Sequence, residues 1–163
     1  MVDGRHLGVE QHEETLTESL LLELSRKSPT VAVHTYTRTE ESRTGADWAW
    51  WWEGDRRWFG ALVQAKRVDP RSGHFDFGYR PRPSPRNPEP ERQIDLLLDA
   101  ARDLELPPMY ALYNGPDIAI DPRHWLCGEV PFDPAAMGAA ILPAAAAAWL
   151  LGLNATDAKL VVS

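Results

Sequence analysis

Asp47, Gln64 and Lys66 are the residues whose types and spacing suit chemistry on a metal ion or a phosphate. Asp47 precedes the run Trp48-Ala49-Trp50-Trp51-Trp52, and Gln64 and Lys66 fall at the end of a second run, Trp58 to Arg67. Both runs are rich in aromatic and apolar residues, and Glu53-Gly54-Asp55-Arg56-Arg57 between them has the composition of a turn. If Glu53 pairs with Trp58, opposed residue numbers share a constant sum, and that register sets Asp47 opposite Gln64. Opposed residues of a hairpin share a face, as do residues two apart along one strand. Asp47, Gln64 and Lys66 therefore project together. A carboxylate, an amide oxygen and an ammonium make a poor core, because each needs a partner once it is buried. They make a good place to hold a metal ion and a water. The same residues also fit a plainer account, an unrelated sheet protein in which Asp47 and Lys66 form a cross-strand ion pair.

Several elements must position this trio. Leu16, Leu20, Leu21 and Leu24 mark one face of an amphipathic helix over Glu13 to Lys27, closed by Ser28-Pro29. Glu14 and Glu18 lie one turn apart on it, either as site carboxylates or as solvated acids that favour the amino end of the helix. Thr30 to Arg38 is dense in β-branched residues and reads as a strand, with His34 a packed strand histidine. Thr39 to Thr44 reads as a polar loop, whose Glu40 and Glu41 are either extra acids near Asp47 or simply solvated. Five of the seven tryptophans fall between positions 48 and 58. Alternation sends Trp48, Trp50 and Trp52 to the face opposite Asp47, as core against a helix or as a stack for single-stranded bases.

Beyond Lys66, six of the 14 prolines fall between Pro70 and Pro90, interleaved with Arg71, Arg80, Arg82 and Arg86. Proline density of this kind predicts an extended, partly disordered excursion over about 69–90, beside the site and outside any sheet ladder. Helical periodicity returns from Glu91 to Glu105 through Ile94, Leu97, Leu98, Ala101 and Leu104, and Gln93 opens that helix. Met109 to Tyr113 is a short apolar strand closed by Asn114-Gly115. Asp117 to Gly128 is mixed loop, where His124 and Cys127 are too few for a zinc site. Pro134 to Leu151 is alanine-rich and reads as helix with a kink near Pro143, packed on the core or on a partner subunit.

The whole chain sets bounds. At 163 residues it is most simply one domain, long enough to bury roughly two thirds of its unfolded surface. One cysteine, Cys127, rules out an intrachain disulfide framework and points to a reducing compartment. The amino terminus shows no basic-then-apolar leader, and the longest apolar run, Ala144 to Leu151, is too short to span a bilayer. A cytoplasmic protein without a membrane partner is the expectation. A net charge of −7 argues against coating nucleic acid by bulk electrostatics. The charge is unevenly spread, however: residues 54–92 carry 5 acidic and 9 basic side chains, while 93–163 carry 9 acidic and 3 basic. A locally basic segment beside the hairpin is placed to meet phosphates, or is a solvated arginine-rich loop.

The order helix, strand, strand, strand, helix, strand, with Glu14 on the first helix, Gly45-Ala46-Asp47 before the second strand and Val63-Gln64-Ala65-Lys66-Arg67 in the third, resembles the PD-(D/E)xK nuclease superfamily. Within it the likeness is to the Mrr-type restriction endonucleases, whose third motif is often Gln-x-Lys. The resemblance covers about residues 13–114, and Arg92-Gln93-Ile94-Asp95 looks like the helix glutamine that some relatives place near the site. It implies an α/β fold: a restriction-endonuclease-like αβββαβ core with a mixed central sheet flanked by helices. Residues 1–12 would form a loose leading segment, 13–114 the core, and 115–163 a C-terminal helical extension packed on it.

The function implied is hydrolysis of phosphodiester bonds in DNA with Mg²⁺ or Mn²⁺, in defence against foreign DNA. The alternative is a catalytically inactive member of the fold that binds nucleic acid or protein. The resemblance makes Asp47 the main metal ligand, Gln64 and the Ala65 carbonyl neutral ligands, and Glu14 a further ligand. Lys66 would orient the attacking water and stabilise phosphoryl charge. Gln93, Arg92 and Glu41 are auxiliary candidates, and Arg67, Arg80, Arg82 and Arg86 candidate phosphate contacts. Two departures stand out: Ala46 replaces the name-giving proline, and Gln64 replaces an acid, which removes a negative charge from the metal site. With no target-recognition segment visible, sequence specificity would need a homodimer or a separate recognition partner.

Overall fold

A computed structural model describes residues 12–69, 71–85, 87–113, 139–153 and 159–161. The chain begins with α1 (Glu13–Lys27), then β1 (Val31–Thr35), α2 (Arg38–Thr44) and a hairpin of β2 (Trp48–Gly54) and β3 (Arg57–Arg67). There follow β4 (His74–Asp76), α3 (Gln93–Leu104), β5 (Pro108–Tyr113), β6 (Ala139–Pro143), α4 (Ala144–Leu153) and β7 (Lys159–Val161). Five strands form one sheet in the order β1-β2-β3-β5-β6, and β4 pairs with β7 in a small second sheet. β3 and β5 are parallel while the other neighbours are antiparallel, so the main sheet is mixed. The fold is α/β, with the αβββαβ order present and helices on both faces of the sheet.

The hairpin register is the one expected: Glu53 pairs with Trp58 and Trp48 with Val63, around a tight turn in which Arg56 takes φ 69°. Alternation then divides the core in two. Trp48, Trp50, Ala61, Val63, Ala65, Ala111 and Tyr113 face Leu21 of α1, with Leu16, Leu20 and Leu24 packed alongside. Ala49, Leu62, Tyr110 and Leu112 face the opposite way, against Ile94, Leu97 and Ala101 of α3 and Ala144, Ala147 and Leu151 of α4. Trp48 is fully buried and Trp50 nearly so. Those two indoles are core under a helix rather than a platform for bases.

Three expectations fail. Residues 38–44 are a helix, α2, where a polar loop was expected. Thr37 caps it: its side chain accepts from the Glu40 amide, and the Glu40 carboxylate accepts from the Thr37 amide at 2.8 Å, while Gly45 ends it at φ 64°. The proline-rich segment is not wholly an excursion, because β4 pairs with β7 and Phe75 and Phe77 are buried in the α3-side core. The C-terminal region is not helical throughout. Residues 139–143 extend the sheet as β6, antiparallel to β5, and the helix starts only after Pro143. The expectations for residues 1–11 and for 114–138, including His124 and Cys127, lie outside the described residues. Among the described residues no helix is long and apolar enough to cross a membrane.

Candidate active site

The constellation is built on the α3-side face of the sheet, where β3 runs past the end of β2. The Asp47 amide donates to the Val63 carbonyl at 2.9 Å, which continues the hairpin ladder by one residue and fixes Asp47 beside Gln64. Gln64 Nε2 donates to Asp47 Oδ2 at 2.9 Å, and the Ala65 amide donates to the same oxygen at 2.6 Å. Gln64 is 2% exposed, and its Oε1 is buried with no hydrogen-bond partner among the described residues. A buried, unsatisfied amide oxygen costs about 1–3 kcal/mol, so this atom needs an account.

Lys66, two residues on along β3, donates from Nζ to Gln93 Oε1 at 2.6 Å, and Gln93 Nε2 donates to Glu41 Oε1 at 3.2 Å. Gln93 is the first residue of α3, and its own amide donates to the Tyr79 carbonyl at 3.0 Å. Lys66 Nζ also lies 5.3 Å from the centre of the Tyr79 ring, within reach of a cation–π attraction. Gly45 allows α2 to approach α3 this closely, because a Cβ there would strike the Gln93 carbonyl and lie 2.7 Å from the Leu97 amide nitrogen.

The acids set the electrostatics. Burial, reinforced by the nearby charges of Glu41 and Glu13, pushes the Asp47 carboxyl up to about 7 from 3.8, against the opposing Ala65 hydrogen bond and the Lys66 charge. Burial likewise raises Glu41. Burial lowers Lys66, although Glu13, Asp47, Asp76 and Glu41 all act to keep it charged. Tyr110, the β5 partner of Gln64, has a buried hydroxyl with no partner among the described residues, and burial raises it too.

The two glutamates that open the first helix have different surroundings. Glu14 is exposed and pairs with Arg38 at 3.6 Å. Its neighbour Glu13 is half-buried, accepts from the Arg67 amide at 2.6 Å through Oε2, and acts on both Asp47 and Lys66. Glu13 lies on the inward face, since Thr17, one turn on, accepts a hydrogen bond from the Tyr113 hydroxyl at 3.0 Å. Counting back from Leu24 through Leu20 and Leu16 in helical steps leads to Glu13, the signal that finds it.

The other candidates divide. Gln93 and Glu41 join the site. Arg92 is held by Asp95 through two bonds of 2.7 and 2.9 Å, and Arg80 Nη1 donates to the Pro90 carbonyl at 3.0 Å. Arg82 is exposed, Arg67 stands at the end of β3, and Arg86 lies outside the described residues.

Among the described residues, no group of three or more His, Cys, Asp or Glu side chains is placed to hold a metal ion. The donor set is instead mixed. Asp47 and the unpartnered Gln64 Oε1 stand together beneath a surplus of acidic charge, and hard divalent cations accept oxygen ligands of both kinds. The residues present fit such an ion. The chain belongs to a family of unknown function (DUF6615), whose model it matches over residues 1–161. A comparison with curated proteins finds no match.

Proposed function

We propose that this chain is a divalent-cation-dependent nuclease that hydrolyses phosphodiester bonds in DNA, and that it serves in defence against foreign DNA, as the resemblance to restriction enzymes implies. The observation that carries the reading is the convergence of Asp47, Gln64 and Lys66 on one face, with Gln64 Oε1 buried and unpartnered beside a carboxylate. Asp47 and Gln64 would hold Mg²⁺ or Mn²⁺, with the Ala65 carbonyl and Glu13, in place of Glu14, completing the set. When bound, the cation supplies Lewis acidity toward the phosphodiester.

The protein's own part is positional. Lys66, held by Gln93, directs its ammonium at the scissile phosphate, where it orients the attacking water and offsets developing charge on phosphoryl oxygens. A cation beside Asp47 also favours the ionised carboxylate, which burial and neighbouring acids otherwise disfavour. Arg82, exposed in the loop after β4, and Arg67, at the end of β3, are the phosphate contacts of the reading. Target choice would come from a homodimer or a recognition partner.

One observation favours a second reading, a catalytically inactive nuclease fold that binds nucleic acid or protein: Asp47 Oδ2 already accepts two hydrogen bonds from its own chain. Cleavage of plasmid and single-stranded DNA with Mg²⁺ or Mn²⁺, in wild type, Asp47→Ala and Lys66→Ala, separates the two. Metal-dependent cleavage lost in both variants supports the nuclease. DNA binding without cleavage, unchanged by Asp47→Ala, supports the binding module.

A further inference from the structure

Gln93 is hydrogen-bonded at both ends of its side-chain amide, and the partners carry opposite charges. Lys66 Nζ donates to its Oε1 at 2.6 Å, and its Nε2 donates to Glu41 Oε1 at 3.2 Å. An amide turned through 180° would set its NH₂ against the ammonium and its oxygen against the carboxylate, donor to donor and acceptor to acceptor. The two charges therefore hold the amide in one orientation, with its dipole aligned between them. Among the described residues no carboxylate lies within ion-pair distance of Lys66, so the neutral amide takes the place of a direct salt bridge.

Resting on the nuclease reading above, we infer that Glu41 of α2 is a positioning residue for Lys66, acting through the Gln93 amide. The fold makes the connection: the Thr37 capping box starts α2, Gly45 ends it against the Gln93 carbonyl, and Glu41 is thereby brought to the first turn of α3. Bonded to an amide rather than to a carboxylate, the amine has its direction fixed with no opposite charge in contact with it. A carboxylate placed directly on Lys66 would hold the amine equally well and cancel the charge that a phosphate needs.

The test exchanges the two groups. In Glu41→Gln/Gln93→Glu, both hydrogen bonds and the net charge are retained, but the carboxylate moves next to Lys66. Glu41→Ala leaves the amide without its anchor. Acylation of Lys66 by an N-hydroxysuccinimide ester, quantified by mass spectrometry against exposed Lys27, reads how firmly the amine is held, with or without catalysis. Glu41→Ala should raise the Lys66/Lys27 labelling ratio by about threefold to tenfold, the loss of roughly one hydrogen bond. The exchange variant should bring it back to the wild-type value or below, because a carboxylate in contact holds the proton on the amine more firmly than an amide does, and should do so even if Glu41→Ala fails to fold.

In DNA cleavage, Glu41→Ala should lower kcat by a similar factor at unchanged KM. The exchange variant should stay as low as Glu41→Ala although its amine is held, because its Lys66 charge is cancelled. An unchanged labelling ratio in Glu41→Ala, or an exchange variant that labels above wild type, overturns the inference. Labelling at or below wild type together with wild-type kcat in the exchange variant overturns it as well. A wild-type protein that does not cut DNA overturns the nuclease reading instead, and the labelling result then stands by itself.

Discussion

Gln64 turns its amide nitrogen toward Asp47, 2.9 Å from Oδ2, and leaves its carbonyl oxygen buried without a partner among the described residues. If that oxygen is a cation ligand, Mg²⁺ or Mn²⁺ should raise the melting temperature of the wild-type protein. A cation at about 100 times its dissociation constant contributes about 2.7 kcal/mol. Gln64→Leu should lose most of that rise, and Asp47→Asn nearly all of it, in differential scanning fluorimetry with and without the ion. An equal rise in all three proteins would remove Gln64 and Asp47 from the cation site.

The Asp47 carboxyl, at about 7 in the folded protein against 3.8 ordinarily, gives stability a slope of defined sign. Between about pH 4 and pH 7 the folded state holds a proton there that the unfolded state has released, so this residue's contribution falls as pH rises and levels off above 7. Asp47→Asn removes the slope. Urea denaturation should find the variant equal to wild type near pH 4 and more stable near pH 8, by at most a few kcal/mol. A variant less stable than wild type at pH 8 would contradict the assignment.

Glu13 and Glu14 are neighbours with different surroundings. Glu13→Ala leaves the Arg67 amide without its acceptor and should cost about 1–3 kcal/mol while weakening any cation-dependent stabilisation. Glu14→Ala removes only an exposed contact with Arg38 and should change neither stability nor cation response. Chemical denaturation of both variants decides which glutamate the site uses, and a silent Glu13→Ala would return the role to Glu14.

The sequence made the site's centre legible and its rim obscure. The register of β2 and β3 followed from one assumed turn, because a period of two leaves no freedom once Glu53 faces Trp58. α1 and α3 followed from periodicity, and β5 from a short apolar run closed by Asn114-Gly115. α2 did not, since Arg38 to Thr44 contains no apolar residue for periodicity to detect. Its signal was chemical, Thr37 followed by Glu40 and then Gly45. β4 was masked by proline and arginine, although Phe75 and Phe77 mark where that segment turns inward. Glu13 was missed because neighbouring glutamates differ only in helical phase.

Gly45 should tolerate no side chain. Its φ of 64° alone costs an alanine on the order of 1 kcal/mol, and the clash with the Gln93 carbonyl and Leu97 amide adds to it. Gly45→Ala should lower the urea midpoint and, by pushing α2 from α3, raise Lys66 labelling as Glu41→Ala does. A variant of wild-type stability would show that α2 and α3 can separate freely.

The site draws on α1, α2, the hairpin and α3, with Lys66 and Gln93 27 positions apart in sequence, Glu41 and Gln93 52, and Glu13 and Arg67 54. The hairpin alone brings Asp47, Gln64 and Lys66 together, but Glu13, Glu41 and Gln93 arrive only when α1, α2 and α3 dock on it, so an unfolding intermediate that keeps the hairpin keeps the centre of the site without its surround. Long-range closures of this kind arrive late in folding, after their loop entropy has been met. Under the proposed function, cation affinity would double as a folding clock: the moment at which a refolding chain first captures Mn²⁺ would mark the completion of its tertiary structure.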